Sequence, residues 1–312
     1  MVKLKKRQIL LAKTESVYGT DSVPDGTNNA IPTIDLSIKE FFEPIERNIQ
    51  IGSLSNRPSV GGMRYAEVKW KQEFLGSGTP GTAARLGALM KALALSESAS
   101  AGSSVTYTPN SSPLSSVTLY VYLDGLRHII TGCVGDVKLS AEAGKTAELE
   151  FTYRGLWQTP TDTALPTIVN ESTIDAPPVV KSASLTYNAN SSLVVKSLEL
   201  TLGNNIALRP SVNSTWGVAG FYIAGRKPVI KIDPELESIA TIDWRTDLAK
   251  TPRALSMIIG QVAGNIWTLN VPKFNTTNIE YGDRDGVLIN TITGEAGANS
   301  AGGDDEFTIK ST

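Results

Sequence analysis

Two stretches decide how this chain reads: GLRHIITGCVGDVKLSAEAGKTAELEFTYRG (Gly125–Gly155) and GNIWTLNVPKFNTTNIEYGDRDGVLINTITGE (Gly264–Glu295). Residue identity between them is low, but length and polar–apolar pattern run together. Working outward, residues 30–155 and 193–297 follow one plan: strand, strand, helix, then a strand–hairpin–strand ending. The pattern predicts a mainly β fold of two tandem β-rich units, each with one helix. The expected boundaries are an N-terminal arm at 1–29, copy one at 30–155, a linker at 156–182 and copy two at 183–312. Two units of about 130 residues can each bury a core.

The first strand of copy one alternates at Ile34, Leu36 and Ile38, with Asp35, Ser37 and Lys39 on the other face. The second is the cleanest in the chain. Ala66, Val68, Trp70 and Phe74 share one face; Tyr65, Glu67, Lys69, Lys71 and Glu73 share the other. A helix is predicted at about 80–95, with Thr79 as cap, Pro80 in the first position and an apolar stripe of Leu86, Leu89, Met90 and Leu93. A Ser/Gly-rich loop (Ser96–Ser104) then leads to strands around 116–123, 127–142 and 146–154. Pro160, Pro166, Pro177 and Pro178 mark an extended linker. Copy two repeats the helix signal at 234–248, opened by Asp233 and Pro234, with Leu236, Ile239 and Trp244 as its buried stripe.

The totals exclude several function classes. There are 29 basic and 31 acidic residues, so no global charge drives binding to nucleic acid or membrane. Cys133 is the only cysteine, which rules out an intramolecular disulfide and a cysteine-based zinc site. The apolar run Ile9–Ala12 is too short for a signal sequence, and no run approaches a membrane span. Synthesis and folding in a reducing cytoplasm are expected. Five glycosylation-type sequons (Asn110, Asn170, Asn190, Asn213, Asn275) then read as polar loops.

Motifs that could carry chemistry fail on context. Gly76-Ser-Gly-Thr-Pro-Gly81 has dinucleotide-type spacing, but no second parallel strand and no ribose-binding acid follow, and the matching turn in copy two is Asp233-Pro234-Glu235. Asp283-Arg-Asp-Gly286 lacks calcium-loop acids at the required positions and reads as a hairpin turn. His128 is the only histidine and lies in a strand pattern, so a triad or histidine metal site has nothing to build on. Glu148 and Glu150 share a strand face without a cleft. Cys133 reads as a small buried residue. No catalytic constellation, cofactor or metal site is expected.

ILLAKTESVYGTDSVPDGTNNAI (Ile9–Ile31) and RPSVGGMRYAEVKWKQEFLGSGTPGTAARLGALMKALAL (Arg57–Leu95) together resemble the tail tube (major tail) proteins of long-tailed bacteriophages. The resemblance covers most of copy one and reaches copy two through the internal repeat. It implies a fold of two tandem β-sandwich or partial-barrel units, each with one flanking α-helix, in a non-enzymatic virion protein: six units form a ring, inner sheets join into a barrel, and rings stack into a non-contractile tail tube through which DNA is ejected. A chain with two units then needs three copies per ring, with pseudo-sixfold symmetry. Implied partners are the chain itself, the tape measure protein and DNA in the lumen, and terminator and distal tail proteins at the tube ends. Glu67, Glu73, Glu148 and Glu150 are the lumen candidates. Inter-ring contacts are assigned to the arm (Ile9, Leu10, Leu11), the loop Asn48–Gly62 (Ile49, Ile51, Leu54) and the linker (Leu165, Ile168, Val169). The alternative reading is a carbohydrate-binding or adhesin-like β-sandwich, which needs a face of clustered aromatics. The five tryptophans (Trp70, Trp157, Trp216, Trp244, Trp267) are instead spread along the chain.

Overall fold

The computed structural model describes residues 2–169, 176–248 and 251–312. Asn170 and the following five residues of the expected linker lie outside the described residues, as does Met1. The first half runs β1 (Gln8–Thr14), β2 (Ala30–Ile31), β3 (Ile34–Ile45), β4 (Val60–Glu73), α1 (Leu86–Lys91), β5 (Leu95–Ser100), β6 (Ser104–Pro109), β7 (Val117–Leu123), β8 (Leu126–Glu142), β9 (Glu148–Trp157) and β10 (Thr161–Asp162). The second runs β11 (Ser184–Tyr187), β12 (Val195–Thr201), β13 (Asn204–Pro210), β14 (Val218–Arg226), β15 (Val229–Pro234), α2 (Trp244–Asp247), β16 (Arg253–Ile259), β17 (Trp267–Arg284), β18 (Val287–Ala296) and β19 (Thr308–Ser311). The protein is mainly β, and every strand pairing among the described residues is antiparallel.

The two halves share one strand order. In the first, β1 pairs with β7, then come β8, β9, β4 and β3. In the second, β11 pairs with β16, then come β17, β18, β15 and β12. The long strands β8 and β17 hold equivalent places. Each spends its first part among outer strands and its second part against the hairpin partner that follows it. Register agrees as well. Ile38, Val68, Tyr153 and Gly135 form one rung of the first half. Leu198, Ile232, Ile292 and Ile279 form the matching rung of the second. Both first strands carry a register shift just before that rung, between Ile34 and Ser37 and between Val195 and Leu198.

The halves are joined edge to edge. The last part of β8 pairs with β12, from Lys138↔Thr201 to Glu142↔Ser197. This makes one continuous sheet in the order β3, β4, β9, β8, β12, β15, β18, β17. A second junction lies on the outer layer, where β19 sits between β17 and β6. The ribbon β13–β14 leaves the second half and folds back onto the first. Its Val218 and Phe221 pack with Val134, Met63, Tyr65 and Leu156. Tyr18 fastens it: the phenol accepts from Phe221 N–H at 2.7 Å and lies 3.0 Å from Phe221 O.

A single apolar core serves both halves. In the first, Trp70 stacks on Phe151 and Tyr153 at centroid distances of 5.1 and 5.4 Å. In the second, Tyr187 packs on Trp244 at 4.3 Å and edge-on to Phe274 at 6.1 Å. Between the halves, Phe74 stacks on Trp267 at 4.0 Å. Cys133 is fully buried in this core, and burial pushes its thiol well above the ordinary value. Gly155 faces it closely, since an added Cβ would lie 2.5 Å from the Cys133 sulfur.

Several expectations are corrected. The predicted helix at 80–95 contracts to Leu86–Lys91. Gly78 and Gly81 take positive φ and hold residues 77–82 in turns, where the Ser77 hydroxyl donates to Thr79 O and Thr82 O. Thr79 therefore caps nothing, although Leu86, Leu89, Met90 and Leu93 are all buried as the stripe requires. The helix at 234–248 contracts to Trp244–Asp247, because Val229–Pro234 is drawn into the sheet between β12 and β18. Asp243, not Asp233, accepts from the first helical N–H groups, and Leu236 and Ile239 stay exposed. The Ser/Gly loop is a hairpin, with β5 paired to β6 along its whole length. Ile34 is exposed because Asp35 takes a left-handed φ of 53°, which breaks the alternation that reaches Leu36.

The N-terminal segment is not a free arm. β1 pairs with β7 over its whole length and with β2 at Leu10 and Leu11. Phe74→Ala is expected to destabilise the protein by about 3–5 kcal/mol, as for large buried aromatics generally. Calorimetry should then show one shared transition for both halves. Two separated transitions would mean that the halves fold independently despite their common core.

Candidate functional site

The eight-strand sheet has an apolar face turned to the core and a polar face turned away. On the polar face of the first half stand Glu67, Lys69, Lys71, Glu73, Glu148, Glu150, Thr152 and Arg154, alternating with buried Val68, Trp70, Leu149, Phe151 and Tyr153. All four lumen candidates thus fall on one surface. Register puts Arg154 opposite Glu67, Lys71 opposite Glu150, and Glu150 opposite Lys138. Glu73 and Glu148 face each other as a like pair. The face is a ladder of alternating charges, not a uniform acidic strip.

Glu67 is the exception in depth, with a side chain only 7% exposed. It accepts from Arg154 Nε at 2.8 Å and pairs with Lys69 at 3.1 Å. Burial pushes this carboxyl up, but the bonds from Arg154 and Lys69 outweigh it and hold the group below its ordinary value. The cations along the junction are paired too: Lys138 with Glu199 at 2.9 Å, and Lys196 and Lys145 with Glu142 at 3.3 and 2.7 Å. In the second half Arg284 pairs with Asp233 at 2.9 Å.

The inter-ring candidates divide by burial. Leu10 and Leu11 are lost as surface anchors, because both are buried inside this chain's own core. A strand between β7 and β2 has an apolar layer on each side, so consecutive apolar residues all find cover. Ile9 and Leu165 are half-buried against Leu11, Ala30, Tyr120 and Tyr122. Ile49, Ile51 and Leu54 stand exposed on the loop between β3 and β4, and Ile168 and Val169 are exposed on the segment after β10. That segment is laid along the first half: Val169 N–H donates to Gly26 O, and Arg85 donates to Val169 O at 2.6 Å.

The motifs that resembled chemistry have structural partners. At Gly76–Gly81, Gly76 N–H donates to Asn265 Oδ1 at 2.8 Å and Gly78 N–H to Gly264 O at 3.1 Å. Those amides hold the second half, and a Cβ on Gly76 would lie 2.1 Å from Gly264 O. Asp285 and Gly286 take φ of 52° and 87° in the two-residue turn of the β17–β18 hairpin. His128 is buried, with Nδ1 3.3 Å from Glu40; burial lowers its pKa and Glu40 opposes that. Trp70, Trp157, Trp244 and Trp267 are buried, and Trp216 packs edge-on to Trp157 at 5.3 Å, so the five tryptophans do not form one exposed platform. The open strand edges were invisible to motif reading; the repeat of pattern was their only signal.

Gly76→Ala is expected to lower the melting temperature by several degrees through overpacking of about 1–3 kcal/mol. Added dinucleotide should leave the wild-type melting temperature unchanged; a dose-dependent rise would restore the phosphate-loop reading. Arg154→Ala should cost about 1–3 kcal/mol near neutral pH, since it strips a buried carboxylate of its charged donor. The pair's stabilisation is present above the ordinary carboxylate value and is lost as pH falls through the lowered one. Urea unfolding of wild type and variant should therefore converge as the pH is taken below the ordinary carboxylate range.

The fold and this paired, motif-free face agree with one comparison. A family described as Phage tail tube protein matches residues 5–301, nearly the whole chain. Among curated proteins, none matches the sequence significantly. The chain belongs to the phage tail tube protein family, whose members are structural components of the virion tail.

Proposed function

We propose that three copies of this chain close a ring with pseudo-sixfold symmetry, and that stacked rings form the tube of a non-contractile tail through which DNA is ejected. The observation that carries this is the edge-to-edge sheet: two halves of identical strand order, four strands each, already joined as neighbours in a ring would be. Three chains would close about 24 strands. At ~4.8 Å spacing and ~40° tilt that is roughly 45–50 Å across at the backbone, wide enough for a duplex after side chains narrow it.

The polar face suits the lumen. A channel for DNA must not hold phosphates, and here the cations near the junction are engaged by carboxylates of the same face. Glu73, Glu148 and Glu150 then add repulsion, with Glu67 mainly serving its own ion pairs. The exposed loop residues Ile49, Ile51 and Leu54, with Ile168, would form ring-to-ring contacts. The tape measure protein would fill the lumen before DNA, and terminator and distal tail proteins would close the ends.

Negative-stain microscopy of the purified protein is expected to show threefold rings or tubes. A strictly monomeric particle at high concentration, or true sixfold rings of six chains, would overturn the three-chain reading. Ile49→Ser combined with Leu54→Ser should leave rings intact and shorten the tubes.

A further inference from the structure

We infer that two particular strand edges join one copy of the chain to the next: the outer edge of β3 in one copy and the free edge of the distal part of β17 in the other. This rests on the ring reading above and names its seam. The partner is a second copy of this chain, bound head to tail.

The chain carries its own template. The distal part of β8 would be a bare edge, but β12 covers it. β12 holds in the second half the place of β3 in the first, and β17 holds the place of β8. Carrying the internal junction over therefore sets β3 of one copy on β17 of another. Both edges are available. β3 pairs only with β4. Beyond Phe274, β17 pairs only with β18, and its Thr277, Asn278, Glu280, Tyr281 and Asp283 are exposed. Rows of unpaired N–H and C=O groups on such edges seek a strand.

The matching rungs fix the register. Leu198 and Gly135 correspond to Ile38 and Ile279. At the internal junction, one further rung places Leu202 beside Val137, with Leu202 N–H donating to Val137 O at 3.1 Å. Carried over, that rung becomes Phe42 of one copy beside Tyr281 of the next. The burial contrast fits. Leu202 and Val137 are 1% and 4% exposed, whereas Phe42 and Tyr281 are 46% and 59% exposed. Each ring has one arginine of its own chain over it, Arg64 at 4.8 Å from Phe42 and Arg245 at 5.6 Å from Tyr281, yet both stay largely exposed at the positions whose counterparts are covered.

The same register faces Lys39 with Arg284 and Glu40 with Asp283. Like charges directly opposite disfavour a strand pair. The seam is thus held by its backbone ladder and aromatic rung, and association is expected to quicken as salt rises.

Cysteine cross-linking tests the seam. Directly opposed antiparallel residues lie about 4.5–5.5 Å apart at Cα, within disulfide reach. Cys133 is fully buried and stays silent. A chain bearing both Phe42→Cys and Tyr281→Cys, oxidised after assembly, should run as covalent dimers and trimers on a non-reducing gel. Single variants should remain monomeric, and a mixture of the two singles should stop at dimers. If wild type forms rings and the double variant does not cross-link, the seam is wrong while the ring reading stands. Cross-linked single variants would mean a symmetric seam and overturn the head-to-tail proposal. If no rings form and no cross-link appears, both fall.

Discussion

The pairing of β8 with β12 is the constraint on which the rest of the structure depends. A strand edge in water is a row of donors and acceptors that another strand will satisfy. Here the exposed edge of the first half is satisfied by the first long strand of the second. That pairing turns two sheets into one, brings Phe74 onto Trp267, and lets one core run through both halves. It also leaves equivalent edges unsatisfied at the two ends of the joined sheet. A chain built this way has its association surface written into its own middle.

The halves agree where the sheet is continuous and differ at its margins. The β5–β6 hairpin lies between α1 and β7, whereas among the described residues the second half shows no strand between α2 and β16. That hairpin reaches across to β19, so the internal junction is clasped on two layers. In the second half the ribbon β13–β14 is folded back and fastened by Tyr18; in the first, β3 and β4 run on into an exposed loop. The same backbone plan thus presents two different outer surfaces. In the proposed ring of three chains, this divergence would leave the symmetry threefold and only approximately sixfold.

The groups that resembled chemistry are engaged by the same physics. Glycine amides that could have cradled a phosphate are spent on Asn265 and Gly264. Glu67 is held by Arg154 and Lys69, and His128 is buried against Glu40. The Gly76 and Gly78 amides, Glu67 and His128 are thus tied to the fold, whereas Glu73, Glu148 and Glu150 stay on the polar face.

Alternation alone determined the faces of β4 and β9, because side chains on a pleated strand point alternately to core and water. It placed Val68, Trp70 and Phe151 on the core face and the four glutamates on the opposite face, where Glu67 is itself nearly covered. Helix ends were misjudged, since capping residues and proline are local signals that a turn or a neighbouring strand can claim. Thr79 was lost to a glycine turn, and Asp233 to the sheet. Leu10 and Leu11 looked like anchors on an arm, because a sequence does not reveal that β7 lies beside them. Only the tertiary structure decided which edges are covered and which are open. Edge pairing joins residues far apart in the chain, and its backbone hydrogen bonds leave no mark in side-chain pattern.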